Sequence, residues 1–202
     1  MRVLTQTKRD AILDIASQAF IELGYERASM ADISQRVGGS KATLYRYFPS
    51  KKELFLEVAQ SAGQRHIGSA FEELSQSTDE LGAALRSFGA KYLAFLLRPE
   101  SVATQRMVIA ESGQSDIGLR FYEVSKRVGR EFIAGFLSAS VERGHLRSAD
   151  PAVMADHLLA LLQAELVQRF LFGVMQDITP EQIQQVVDRA IDVFLRAYSA
   201  RT

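Results

Sequence analysis

Apolar residues recur along this chain at helical spacing almost everywhere, and strict β-type alternation is scarce. Ala11, Ile12, Ile15, Ala16, Ala19 and Phe20 follow the i, i+3, i+4 rule and predict a first helix over 8–23, with Gly24 as its C-cap. Ser29 reads as the N-cap of a short second helix carrying Met30, Ile33 and Val37, which Gly38-Gly39 ends. Ser40 opens a third helix over 41–47. After Pro49, Ser50 and Glu53 have the spacing of a capping box, and a long fourth helix is predicted over 51–74.

The remaining pattern predicts five more amphipathic helices. One starts at Asp79 and stops at Leu97, before Pro99, and the next covers 100–112. A long one spans 116–143, closed by Gly144. Asp150-Pro151 opens a helix to Phe172, since aspartate caps well and proline suits the first helical position. Thr179-Pro180-Glu181 repeats that signal before a last helix to Ala200. The expectation is an all-α fold of about nine helices.

Helices two and three, joined by a glycine turn, make a helix-turn-helix, the motif whose second helix enters the DNA major groove. In SKATLYRYFPSK, residues 40–51, Leu44 and Phe48 share one face and are placed to anchor the helix to Ile12, Ala16, Ile33 and Val37. The other face carries Lys41, Ala42, Thr43, Tyr45, Arg46 and Tyr47: cations, hydroxyls and rings suited to phosphates and base edges. Small Ala42 and Thr43 let the backbone approach the groove floor.

Charge strengthens this picture through its layout rather than its total. Lys+Arg and Asp+Glu both number 24, yet residues 1–52 hold nine basic against five acidic side chains. Between Ile33 and Lys52 there are Arg36, Lys41, Arg46, Lys51 and Lys52 and no acid. A local basic patch on a neutral chain points to a polyanion at one end; an ordinary solvated face is the plainer alternative. Composition narrows the rest. With 47% apolar and 24% charged residues the chain reads as a globular protein, and with no cysteine it excludes disulfides, thiolate metal sites and cysteine nucleophiles. No apolar run approaches a membrane span, and the N-terminus lacks an apolar signal core, so a cytoplasmic location without membrane association is expected.

The stretch from Thr7 to Val58, through Ile12-Leu13, Ala16, Phe20, Gly24-Tyr25, Ser29-Met30, Ile33 and SKATLYRYFPSKKELF, closely resembles the TetR family of bacterial transcription regulators. Gly39 departs from the family, where a valine is usual. The region from Arg106 to Phe172, notably RMVIAE, RFYE and the apolar helix near Gln163, is more weakly similar to the AefR-like C-terminal domain. The resemblance implies a DNA-binding domain over 1–52 and an effector-binding and dimerisation domain over 53–202. It implies base-edge contacts for Lys41 and Thr43, with Ala42 close to the groove floor. Tyr45, Arg46 and Tyr47 would divide between groove wall and phosphate. Ser29, Ser40 and Lys51 would lie at the helix ends that meet the backbone. For Ser29 capping explains the residue equally well, and for Tyr47 a packing aromatic is the plainer alternative.

A single helix-turn-helix reads half an operator, so a near-palindromic duplex site and a homodimer with half-sites ~34 Å or more apart are expected. Leu158, Leu162, Leu166, Arg169 and Phe170, with Val187, Ile191 and Phe194 of the last helix, are the expected interface. The resemblance places a small-molecule effector in the middle of the chain, where Phe88, Tyr92, Gln105, Met107, Phe121, Tyr122 and Gln163 are the candidates; plain core is the bland reading for each ring. Glu165 and Arg169, four apart, are placed to pair with each other or across the interface. Effector binding would shift a two-state equilibrium through helix four and release a repressor from DNA. No cofactor is expected, and His66, His145 and His157 lack ligand spacing for a metal. The rivals are a helical protein-interaction module and an all-α enzyme, although no phosphate loop, HExxH or GxSxG motif occurs.

Overall fold

A computed structural model describes residues 5–77 and 80–200. Residues 1–4, the start of the N-terminal stretch without an apolar signal core, and Asp79, the expected start of helix five, lie outside them. The helices are α1 (Gln6–Arg27), α2 (Met30–Arg36), α3 (Lys41–Tyr47), α4 (Lys51–Gln76), α5 (Leu81–Leu96), α6 (Pro99–Ser112), α7 (Ile117–Phe121), a π-helical turn (Tyr122–Arg127), α8 (Val128–Glu142), α9 (Pro151–Gln163), α10 (Val167–Leu171) and α11 (Pro180–Tyr198). Among the described residues the only β pairing is an isolated bridge between Leu146 and Ser199, and no helix is long and apolar enough to cross a membrane.

Capping chemistry sets many of the boundaries. Thr5, Ser29, Ser40, Asp150 and Thr179 each accept a backbone N–H of their helix's first turn. Thr179 and Gln182 complete a reciprocal capping box. Ser50 forms half of one, accepting the Glu53 N–H at 3.1 Å, while the Glu53 carboxylate is drawn to Arg120 instead. Gly24 adopts φ +77°, a conformation that favours glycine, and kinks α1 one turn before its end.

Two long helices expected from the pattern are interrupted. In an unbroken α-helix Ile117 and Ile133 would point roughly 160° apart. The wider π turn shifts the register between them, and both are fully buried. The helix expected over 151–172 stops at Gln163 and restarts at Val167. No proline or glycine marks the break. Leu166 leaves helical geometry at φ −121°, the Ala164 N–H falls back to the Leu161 carbonyl at 3.4 Å, and the Gln163 side chain competes for the Leu159 carbonyl at 2.9 Å. The break turns Leu166, Val167 and Phe170 into the core.

The chain forms two compact units. The first comprises the described residues up to Gly63 together with Ala103–Ser125. Its core joins Ile12, Ala16 and Phe20 to Ile33, Leu44, Phe48, Leu54 and Phe55, and includes Val108 and Ile117. The second comprises Gln64–Val102 and the described residues from Lys126 onward. Its core is built from Leu85, Phe88, Ile133, Leu137, Leu158, Leu162, Val187, Ile191 and Phe194. Here α5 approaches two neighbours through Gly89: a Cβ at that position would lie 2.9 Å from both Leu162 Cδ2 and Val187 Cγ1. Gly89→Ala is therefore expected to destabilise the fold by about 1–3 kcal/mol through overpacking, read as a lower urea midpoint with an unchanged m-value.

Candidate nucleic-acid interface

Within the first unit, α3 is held by its apolar face and displays its polar one. Leu44 and Phe48 are buried beside Ile12, Ala16 and Ile33, with Val37 partly buried against them. Lys41, Ala42, Tyr45 and Arg46 are exposed, Tyr45 by 48%, and Thr43 and Tyr47 are half-buried. Ser40 is exposed at the helix start, where its hydroxyl accepts the Thr43 N–H at 3.1 Å and lies 2.9 Å from the Thr43 hydroxyl.

The turn before α3 depends on a residue that the periodicity did not single out. Ser34 is buried, and its hydroxyl donates to the Gly39 carbonyl at 2.8 Å, while the Gly39 N–H donates back to the Ser34 carbonyl. Gly38 takes φ +67° at the bend. At Gly39 a Cβ would meet Val37 Cγ1 at an ordinary 3.9 Å, so the absence of a side chain there reflects no crowding.

Three of the expected contact residues also have structural work. The Tyr47 hydroxyl accepts the Thr5 N–H at 3.0 Å and its ring stacks on Phe48, tying the start of α1 to α3. Ser29 caps α2 and donates to Asp32. The Lys51 ammonium donates to the carbonyls of Tyr25 and Glu26 at 2.9 and 3.2 Å and sits 4.3 Å from the centre of the Tyr25 ring. These bonds fasten the kinked end of α1 to the first turn of α4. One of the three ammonium N–H groups is left over. That turn is tied a second time, because Lys52 pairs with Asp116 at 2.8 Å and Glu53 with Arg120. The bond from Lys52 holds the Asp116 carboxyl below the usual carboxylate range.

The residues expected to hold an effector fall in both units. In the second, Tyr92 stacks on Phe88 at 5.6 Å, and Phe71 contacts Phe88 and Phe132 at 5.2 and 4.9 Å. Gln163 donates a long bond of 3.4 Å to the Tyr92 hydroxyl, and burial pushes that phenol up to about 12. In the first, Met107 and Phe121 pack on the core, Gln105 is half-buried and Tyr122 is exposed.

Of the residues expected at a dimer interface, Leu158, Leu162, Leu166, Phe170, Val187, Ile191 and Phe194 are buried in the protomer's own core, and Arg169 is exposed. Exposed apolar side chains lie close by in sequence: Phe172 (80%), Val174 (75%), Val193 (52%) and Val153 (43%). Glu165 pairs bidentately with Arg189, not Arg169, because the break after Gln163 takes Glu165 and Arg169 off a common helix. That bond, with a smaller pull from Arg169, lowers the Glu165 pKa.

Comparisons with known proteins agree with this architecture. Residues 12–58 match the family model of bacterial regulatory proteins of the tetR family, and residues 83–200 match the C-terminal domain of AefR-like transcriptional repressors. The transcriptional activator FasR of Mycolicibacterium smegmatis is 36% identical over 90 residues, which span 43% of this chain and 41% of that one. Among solved structures, a TetR-family transcriptional regulator from Mesorhizobium loti superposes with a TM-score of 0.86 at 27% identity, over 98% of this chain and all of that one. The flavonoid-responsive regulator FrrA superposes with a TM-score of 0.73 at 31% identity, with the same coverage.

The two kinds of lysine at this face are expected to separate in a stability assay. Lys51→Ala removes two charge-assisted bonds and a ring contact and should cost about 1–3 kcal/mol. Lys41→Ala, at an exposed position, should stay within about 0.5 kcal/mol of the parent. Urea unfolding of both variants checks this.

Proposed function

The chain belongs to the TetR family of bacterial transcriptional regulators, and on that premise we propose that it is a ligand-released repressor that binds a near-palindromic duplex operator as a homodimer. The observation that carries the proposal is the exposed face of α3, with Lys41, Ala42, Tyr45 and Arg46 outward over an anchored apolar face in a window that contains no acid. That face suits the major groove.

In this reading Lys41 and Thr43 reach base edges while Ala42 keeps the approach close. Tyr45 and Arg46 contact groove wall and phosphate. Ser29 and Ser40 lie at helix ends whose N–H groups favour phosphate, the remaining Lys51 donor does the same, and Tyr47 mainly holds α3 to α1. The DNA contacts lie within 1–52, a segment that folds together with Ala103–Ser125, while effector binding and dimerisation fall to 53–202. Exposed Phe172, Val174, Val193 and Val153, with Arg169, supply the dimer surface, while the buried leucines of α9 shape it from beneath. The match to an AefR-like repressor domain supports repression; the relative named as an activator makes activation the reading to test against it.

The aromatic group Phe71, Phe88, Tyr92 and Phe132, with Gln163, is the proposed wall of the effector site, and the name of the flavonoid-responsive relative agrees with a small aromatic ligand. Gln105, Met107, Phe121 and Tyr122 are kept as candidates for effector contact. A bound effector acts by its different affinity for two states of the dimer, passed along α4. We assign the chain no catalytic role, no cofactor and a cytoplasmic location.

Mapping bound chromosomal fragments and titrating one by fluorescence anisotropy tests the proposal. Affinity is expected to fall with salt at a log–log slope of about −0.9 per phosphate contact. Thr43→Ala should change the ranking of operator variants by about 1–3 kcal/mol. Binding that ignores salt, or no retained fragment, would refute the reading.

A further inference from the structure

Lys126 stands at the end of the π turn, at the start of the second unit's second segment. Seven and eleven residues further along the same helical face, Ile133 and Leu137 are fully buried. Three residues on, Gly129 meets Phe71, whose Cζ lies 3.4 Å from where a Cβ would be. Lys126 is half-buried on the helix side it shares with Gly129, Ile133 and Leu137, and the Phe71 ring that Gly129 meets contacts Phe88 and Phe132, with Tyr92 stacked on Phe88. On α4, Gly68 lies one turn before Phe71, and a Cβ there would meet nothing within 4 Å.

The neighbouring cations are matched and Lys126 is not. Arg127 pairs with Glu131 at 2.9 Å and Arg130 with Asp156 at 2.5 Å. Among the described residues no carboxylate or hydrogen-bond acceptor engages the Lys126 ammonium. Burial alone lowers its pKa. The preceding residue repeats the mismatch, since Ser125 Oγ is buried without a hydrogen-bond partner. An inward cation without a counter-charge destabilises a fold, and π turns of this kind occur frequently at functional sites.

We infer that Lys126 anchors the anionic group of the effector, a carboxylate carried on a flat aromatic body that packs against Phe71, Phe88 and Tyr92. The inference rests on the effector-responsive reading above and specifies its ligand. Charge complementarity selects the anion, and the rings select the body.

The test uses the full-length protein and two isosteric probes, 2-naphthoate and neutral 2-naphthamide, titrated by calorimetry. The parent is expected to bind naphthoate about tenfold or more tighter than naphthamide. Lys126→Met, which replaces the cation by an apolar chain of similar length, should raise Tm and abolish that preference while leaving naphthamide within about twofold. Lys126→Arg should retain the preference. Equal affinity for the two probes, no binding of either, or an equal loss of both in Lys126→Met would overturn the proposal. Operator binding is measured on the same preparations. Lost DNA recognition with the naphthoate preference intact would sink the regulator reading alone, and the reverse would sink this inference alone.

Discussion

The arrangement of the first unit depends on one packing interaction, the burial of Leu44 and Phe48 against Ile12, Ala16 and Ile33. A seven-residue helix is too short to be stable in water by propensity. It persists because two apolar side chains four residues apart are removed from solvent, each contributing about 1.5–3 kcal/mol, and because Ser40 satisfies its first turn. Everything on the opposite face follows. With Leu44 and Phe48 inward, the 3.6-residue repeat turns Lys41, Ala42, Tyr45 and Arg46 outward, and these residues need no further restraint to form a continuous polar strip.

Around that anchor, charge acts locally as mortar between elements. The Lys51 ammonium closes the end of α1 onto α4 through two carbonyls, and Lys52 and Glu53 tie the same turn to Asp116 and Arg120. Consecutive residues of one turn therefore hold elements that are far apart in the chain. The basic window read from the sequence is accordingly heterogeneous: Lys41 lies on the exposed face, whereas Lys51 and Lys52 are committed to internal partners.

How much could be read beforehand follows from which signals are local. Caps are local, and Ser29, Ser40, Asp150 and Thr179 marked helix starts in the sequence where the structure has them. Periodicity is local too, and it placed Leu44 and Phe48 inward. The π turn and the break after Gln163 have no such marker, because no glycine or proline causes them; tertiary burial of Ile133, Leu166 and Phe170 does. The same blindness affected the last helices. An excess of leucine on the penultimate helix suggested a surface, yet Leu158 and Leu162 fill the protomer's own core, and Phe172 and Val174, just past the break, are the exposed ones. Lys126 carried no signal at all, since a lysine in an amphipathic pattern reads as solvated until its face is known.

The first unit is discontinuous in sequence. Val108 and Ile117 complete its core, and Asp116 and Arg120 supply the partners of Lys52 and Glu53, yet all four lie more than forty residues beyond the end of its leading segment. The reading head is therefore not a detachable module at the N-terminus. An excised leading fragment would expose an apolar gap and leave two charges unmatched. A chimera that grafts a new specificity onto this scaffold must carry both stretches across the graft, or restore the missing counterparts in its host.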